Sequence, residues 1–127
     1  MITAKDVLLQ WLDAVNRGDV TKLLSLYDKD AILIPTFSNK MLDCPEKLRD
    51  YFEKLGGREG LSIALHEKTV FERTVSEHLV TISGIYNWRF EVEAEMLNFE
   101  ARFSYLLDFT KESPILHHHS SQIPRMI

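Results

Sequence analysis

The segment Leu116–Ser121 places three of the chain's five histidines directly beside two serines. In an extended strand successive side chains point to opposite faces, so this run contains two alternative pairs, His118 with Ser120 and His119 with Ser121. Histidine titrates near neutral pH, and serine both donates and accepts hydrogen bonds, so either pair suits proton transfer on a small polar ligand. The alternative interpretation is a polar edge strand that faces water or a subunit interface.

Three consecutive histidines also raise the question of metal binding. Adjacent strand residues cannot converge on one ion, and a zinc site built on His117 and His119 would need further ligands from His66, His78 or acidic residues. Cys44 is the only cysteine and has no Cys or His at metal-ligand spacing. We therefore expect no metal site and no required cofactor, with manganese and zinc as the ions to test.

Composition narrows the class of protein. A length of 127 residues fits one domain, 1–127, and the hydrophobic and charged fractions of 45% and 27% are typical of a soluble globular protein. The net charge of −4 offers no basic surface for nucleic acid. No apolar run is long enough to cross a membrane, and the N-terminal residues lack the pattern of a signal peptide. We expect a cytoplasmic protein that binds neither nucleic acid nor membrane.

The first half of the chain has the periodicity of helices. Capping residues before apolar stripes and glycines after them predict three helices. The first two follow the caps Thr3 and Asp19, the third begins at Pro45, and Gly18 and Gly56 mark helix ends. A short apolar strand, 31–34, ends at Pro35 before Thr36, and Tyr51 lies on the buried side of the third helix.

The second half changes to strand periodicity. Four segments rich in β-branched and aromatic residues predict an antiparallel sheet: Leu61–Arg73, His78–Glu91, Leu97–Phe109 and Ile115–Ser121. Helices followed by a long meander indicate an α+β fold in which the sheet curls over the helices. A pocket should form at its open end, lined by Thr36, Tyr51 and one face of the last strand.

Arg102 is a further candidate on the third of these segments. Its guanidinium offers several donors in a rigid fork and stays charged, so it could hold an anionic ligand. The alternative is pairing with a glutamate such as Glu100 across the sheet surface.

Several motifs along nearly the whole chain have an order and spacing that point to a known family. They are Trp11, Val15 and Asn16; Leu26-Tyr27; Asp30–Thr36; Ser38-Asn39; Asp50–Phe52; Gly84–Tyr86; Ala101–Phe103; and His117–Ser121 with Pro124. In these motifs the sequence resembles the nuclear transport factor 2-like superfamily. Within it, the chain is similar to the group related to the association domain of calcium/calmodulin-dependent protein kinase II, and above all to the iota-class carbonic anhydrases.

The resemblance implies a cone of three N-terminal helices packed in a curved antiparallel β-sheet. It also implies that carbon dioxide or bicarbonate binds among Thr36, Tyr51, His118 and Ser120, with the imidazole taking a proton from the attacking water. The choice of His118 with Ser120 assumes that Leu116 faces inward.

The remaining ligand-binding candidates are Arg102, His119 and Ser121. Three functional hypotheses remain: a carbonic anhydrase-like lyase acting as a homodimer or higher homo-oligomer, a non-catalytic association module that binds a small ligand, and a ketosteroid isomerase-like or polyketide cyclase-like enzyme. A steroid or polyketide site would favour a roomy apolar pocket, whereas the hydroxyl and imidazole candidates describe a small polar one.

Overall fold

The first half of the chain forms the three predicted helices in a computed structural model that describes residues 1–126. They are α1 (Ala4–Arg17), α2 (Val20–Leu26) and α3 (Pro45–Gly56). Thr3 and Asp6 exchange the hydrogen bonds of a capping box at the start of α1. Gly18 ends this helix at φ 66°, a left-handed conformation in which a side chain would be strained. No helix within residues 1–126 has the length and apolar character that a membrane span requires.

Six strands within the same residues form one curved sheet. They are β1 (Tyr27–Ile34), β2 (Ser62–Leu65), β3 (Phe71–Thr74), β4 (Leu79–Val92), β5 (Glu95–Asp108) and β6 (Ile115–Gln122). The order is β1-β6-β5-β4-β2, and β3 also pairs with β4. The predicted α+β fold of three helices against a curved sheet is therefore confirmed.

The sheet differs from the antiparallel prediction in one pairing. β1 runs parallel to β6, with Leu33 opposite His118 and Ile34 opposite His119. Antiparallel neighbours can be joined by a tight turn, whereas parallel ones need a long crossover. The chain between β1 and β6 supplies that crossover, since it contains α3 and all the other strands.

The predicted strand Leu61–Arg73 is interrupted. A 3₁₀ turn, Glu67–Thr69, separates β2 from β3, which pair with different parts of β4. The hydroxyl of Thr69 donates to the His66 carbonyl at 2.7 Å and accepts from the Ile85 amide at 2.8 Å. These contacts satisfy backbone groups at the interruption, which is why the chain can leave the sheet there.

The core between helices and sheet is centred on Trp11 of α1. Its indole stacks on the Tyr86 ring with centroids 5.6 Å apart, and it meets Trp88 and Tyr105 edge to face. Its Nε1–H donates to the Tyr27 hydroxyl at 3.0 Å. An amphipathic helix thus fixes the position of aromatic side chains from three strands, and the candidate site is built around them.

Candidate functional site

The last strand presents one of the two predicted His-x-Ser pairs to the interior. His118 and Ser120 are only 1% and 3% exposed, whereas His119 is exposed and Ser121 is half-buried. His118 and Ser120 therefore face inward, as the preferred pair was expected to do, but the premise about Leu116 is wrong. The pairing of β5 with β6 shifts register between Leu106 and Leu107, so that Ile115, not Leu116, is the fully buried residue at the start of the strand.

Both ring nitrogens of His118 meet tyrosine hydroxyls. Nδ1 lies 2.7 Å from the Tyr27 hydroxyl, and Nε2 lies 3.1 Å from the Tyr86 hydroxyl. Because Trp11 already donates to the Tyr27 oxygen, the Tyr27 hydroxyl is free to donate to Nδ1. We therefore assign the proton of the neutral ring to Nε2, which donates to Tyr86. We call this directional series from Trp11 to Tyr86 the hydrogen-bond chain.

Burial keeps this chain uncharged. It lowers the pKa of His118 well below the ordinary value of 6.5, and the neighbouring His117 and His119 lower it further. Burial also raises the pKa of Tyr27 and of Tyr86 well above the ordinary value of 10.0. At neutral pH the imidazole is therefore neutral, and its low pKa makes it too weak a base for the role of proton acceptor that was expected of it.

Thr36 and Tyr51 join the site from the other side. Pro35 ends β1, and the next residue, Thr36, places its hydroxyl 2.5 Å from that of Ser120. The Tyr51 hydroxyl on α3 accepts from the Phe37 amide at 3.3 Å, which ties the helix to this loop. Burial raises the pKa of Tyr51 to about 12, so its hydroxyl keeps its proton.

These side chains enclose a very small cavity, which we call the inner cavity. Thr36, Tyr51, His118 and Ser120 all line it, and its volume is about 10 Å³. The other lining residues are Trp11, Leu33, Pro35, Phe52, Tyr86 and Trp88. A space of this size holds about one water molecule or one oxygen atom of a ligand. The four residues chosen from the sequence therefore meet at one place.

A much larger cleft, the outer cleft, adjoins the inner cavity. Its volume is about 1130 Å³, and Thr36 and Tyr51 line both spaces. Its apolar walls come from Phe37, Leu42, Leu55, Phe90, Val92 and Phe99. Four cationic residues also line it, Lys40, Lys47, Lys54 and Arg58, against one acid, Asp50. We call these four residues the rim cations.

The rim cations differ in their partners. Lys47 pairs with Asp43 at 2.8 Å, and the Arg58 guanidinium lies 5.4 Å from the centre of the Phe90 ring. Lys40, Lys54 and Arg58 form no ion pair with an acidic side chain in the part of the chain that the structure describes. Their charges are therefore available to an anion in the cleft.

The other three ligand-binding candidates lie away from the cone interior. Arg102 is exposed on β5, where it stands opposite Ser121 of β6 and Ile85 of β4. His119 shares this outer face, and its Nε2 lies 2.7 Å from the Ser121 hydroxyl. Strand alternation explains the placement, because Ala101 and Phe103 on either side of Arg102 are buried. The structure does not bring these three side chains to a ligand in the inner cavity.

Sequence reasoning missed the tyrosines that hold His118, the second tryptophan of the cavity and the rim cations. Tyr86, Trp88 and Phe90 alternate on one face of β4, and that pattern could have identified them as part of one wall. The rim cations carry no such signal, because they come from the loop after β1, from α3 and from the turn that follows it.

The histidine-rich strand does not gather metal ligands. Within residues 1–126 no three His, Cys, Asp or Glu side chains lie close enough together to hold an ion. The donors available in the inner cavity are hydroxyls, an indole and a neutral imidazole.

Comparison with known families identifies the chain. The sequence pattern of the SnoaL-like domain matches residues 4–126. The chain belongs to the SnoaL-like domain family. The curated proteins give no match to this SnoaL-like chain.

Solved structures show the same fold at low sequence identity. A candidate calcium/calmodulin-dependent protein kinase II association domain from Xanthomonas campestris is 22% identical, with a TM-score of 0.84 over 96% of this chain and 86% of that one. A ketosteroid isomerase-like protein from Erwinia carotovora atroseptica is 12% identical, with a TM-score of 0.79 over 95% and 94% of the two chains. A nuclear transport factor 2-like protein with a cystatin-like fold from Novosphingobium aromaticivorans is 10% identical, with a TM-score of 0.77 over 95% and 80%.

These likenesses establish the nuclear transport factor 2-like fold of this SnoaL-like chain. Identities this low do not carry an activity from one protein to another. The resemblance to iota-class carbonic anhydrases, the cytoplasmic location and the homodimer stay predictions.

Proposed function

We propose that this SnoaL-like domain binds a small organic anion, an apolar body that carries a carboxylate, in the outer cleft. The observation that carries the proposal is the charge of the cleft. Four cations against one acid line it, although the whole chain has a net charge of −4. A positively charged cleft on a negatively charged protein attracts anions to that cleft.

The rest of the cleft suits the body of such a ligand. Ligand pockets have volumes of about 300–1,000 Å³ and are mostly apolar, with a few polar groups that fix orientation. The outer cleft is slightly larger, and Phe37, Phe90 and Phe99 supply aromatic walls that pack edge to face or stacked on each other. Arg58 lies over one of these rings, so its guanidinium is held near the apolar surface where a carboxylate would arrive.

Calorimetric titration with benzoate and with the neutral benzamide tests the proposal. We expect benzoate to bind more tightly than benzamide and to lose that advantage as salt is raised, since exposed charges are screened. The Lys54→Gln variant should weaken benzoate by about two- to fivefold, the range typical of a single exposed charge pair. Lys29→Gln is the matched control, because Lys29 is an exposed lysine on β1 that does not line the cleft.

Two results would contradict the proposal. One is failure of benzoate to bind in the millimolar range, and the other is equal binding of benzoate and benzamide. Equal weakening by Lys54→Gln and Lys29→Gln would show that net charge, not the cleft, controls binding.

Carbon dioxide hydration is a second candidate function, favoured by the convergence of Thr36, Tyr51, His118 and Ser120 on the inner cavity. In this reaction water adds to carbon dioxide to give bicarbonate and a proton. The hydroxyls could hold the bicarbonate oxygens. Because burial lowers its pKa, His118 is a weak base for the proton, which would have to leave through the outer cleft to solvent buffer.

Stopped-flow hydration assays decide this second candidate. The wild-type protein and Ser120→Ala would be compared untreated, after chelation, and with added manganese or zinc. Activity that survives chelation and is lost in Ser120→Ala would support the metal-free reaction at the predicted site. Full activity of Ser120→Ala would remove that site, and no activity under any of these conditions would remove the candidate.

A further inference from the structure

The wall of the inner cavity contains a hydrogen-bond donor that has no protein partner. Trp88 is 2% exposed and lines the cavity, and its indole Nε1 has no acceptor among the described residues. The other tryptophan of the same wall, Trp11, donates to Tyr27. Most buried polar groups are hydrogen-bonded, so an unpartnered indole N–H next to a cavity points to an acceptor that the protein itself does not supply.

The hydrogen-bond chain supplies a second donor at the same place. If Nε2 of His118 donates to Tyr86, the Tyr86 hydroxyl keeps its own hydrogen to donate onward, and Tyr86 lines the inner cavity together with Ser120 and Thr36. Ser120 and Thr36 then share one hydrogen bond between them. Each hydroxyl carries one hydrogen, and their mutual bond uses only one of the two. One hydroxyl hydrogen is therefore still available to donate, whichever hydroxyl donates in that bond.

Both unused groups are therefore donors. The indole N–H cannot accept, the hydroxyl pair has one hydrogen left after its mutual bond, and the Tyr86 hydroxyl in the same cavity also has a hydrogen to donate. A cavity of about 10 Å³ has room for about one oxygen atom beside them. The group that fits is an oxygen that accepts two hydrogen bonds and has none to give, such as a ketone or carboxylate oxygen.

We propose that the inner cavity is an oxygen subsite, in which a carbonyl oxygen of the ligand accepts hydrogen bonds from Trp88 Nε1–H and from the Thr36–Ser120 hydroxyl pair. The inference rests on the proposed function, because the carboxylate of the same ligand lies among the rim cations of the outer cleft. It narrows the ligand class to organic acids that carry a second, carbonyl oxygen away from the carboxylate. The two ends of the ligand are then recognised differently, one by charge and the other by neutral donors.

A matched pair of ligands tests the subsite on the intact chain. 4-Acetylbenzoate carries a ketone oxygen opposite its carboxylate, and 4-isopropylbenzoate has nearly the same shape without that oxygen. We expect wild-type protein to bind the acetyl compound about thirtyfold more tightly, the effect of about two net hydrogen bonds. In Trp88→Phe, which keeps an aromatic ring but lacks the N–H, the preference should fall to about fivefold, the effect of the one remaining bond from the hydroxyl pair.

Nuclear magnetic resonance of the two indole N–H groups gives a readout that needs no variant of Trp88. In ¹⁵N-labelled wild-type protein, 4-acetylbenzoate should move the Trp88 Nε1–H signal downfield and 4-isopropylbenzoate should not. The Trp11 signal is the internal control, because that N–H is already bonded to Tyr27. Trp11→Phe assigns the two signals by removing one of them.

The outcomes separate the two proposals. If neither compound binds, the organic-anion proposal and the subsite fall together. If both bind equally and the Trp88 signal stays in place, the subsite is wrong and the organic-anion proposal stands. A preference for the acetyl compound that is undiminished in Trp88→Phe would also overturn the subsite, since the Trp88 N–H would then make no bond to the ketone oxygen.

Discussion

Replacing Tyr27 by phenylalanine should destabilise the protein, whereas the same replacement at Tyr105 should not. Both side chains are buried, at 5% and 2% exposure, and both rings lie beside His118. The Tyr27 hydroxyl has two partners, Trp11 Nε1–H and His118 Nδ1. The Tyr105 hydroxyl has none among the described residues. The two variants remove the same atom from the same neighbourhood and differ mainly in its hydrogen bonds.

The size of the difference follows from the groups left behind. Tyr27→Phe leaves one buried donor and one buried acceptor unpaired, and each such group costs about 1–3 kcal/mol, so we expect a loss of about 2–6 kcal/mol in the free energy of unfolding. Tyr105→Phe removes a hydroxyl that was buried without compensation, so it should be neutral or should stabilise the protein by up to about 1 kcal/mol. In a domain of this size, each kcal/mol corresponds to about 4 °C in the melting temperature.

Urea denaturation followed by circular dichroism measures both variants against the wild type. The dependence of the free energy on urea should be unchanged, because neither variant alters the surface exposed on unfolding. The Trp11 indole N–H signal should shift upfield in Tyr27→Phe and stay in place in Tyr105→Phe. Equal destabilisation by the two variants would refute the reasoning, because ring packing and not the hydrogen-bond chain would then determine the cost.

Two further predictions concern the same core. Because burial lowers the pKa of His118 in the folded state, the unfolded chain takes up this proton first on acidification, so stability is full above about pH 6.5 and falls below it by at most about 1.4 kcal/mol per pH unit. Urea unfolding from about pH 7 to about pH 5 measures this slope, and the slope should be smaller in His118→Gln. A His118 ring signal that titrates near pH 6.5 in the folded wild type would contradict the prediction. A methyl group at Gly84 would lie 3.0 Å from the Phe103 ring, which stacks on Tyr86. Gly84→Ala should therefore lower the free energy of unfolding by about 1–3 kcal/mol through overpacking. Gly56→Ala is the control, because open space surrounds that position and no such loss is expected. Equal melting temperatures for the two variants would contradict this account of the packing.

The helices were the most predictable part of the fold, because their signals are local. A capping pair such as Thr3 with Asp6, or Pro45 at a helix start, acts within a few residues. The pairing of β1 with β6 is different in kind, since nothing in the composition of either strand sets its direction. The interruption at Glu67–Thr69 depends on hydrogen bonds to β4, which periodicity cannot reveal.

The site was predictable to a similar degree. Alternation along a strand separates His118 from His119, and the end of β1 at Pro35 fixes Thr36 at the mouth of the cone. The partners of His118 come from β1 and β4, and complete burial between them lowers its pKa and makes it a weaker base than the sequence indicates. Burial of that kind is a property of the assembled core and has no marker in the His-Ser motif itself.

The absence of charge in the described inner cavity and the positive charge of the rim cations act together on a ligand. If His118 were protonated, it would attract a carboxylate into the inner cavity, in competition with the rim cations. The protonated ring would itself need a buried counter-charge. The neutral ring removes that competition, accepts a hydrogen bond from Tyr27 and donates one to Tyr86, which leaves the Tyr86 hydrogen to be donated into the inner cavity. Charge then selects the ligand at the mouth, and uncharged donors around Trp88 and Ser120 distinguish what the ligand carries at its other end. A site arranged in this way discriminates between acids of similar charge by the presence of one oxygen, because leaving these buried donors unpaired is costly.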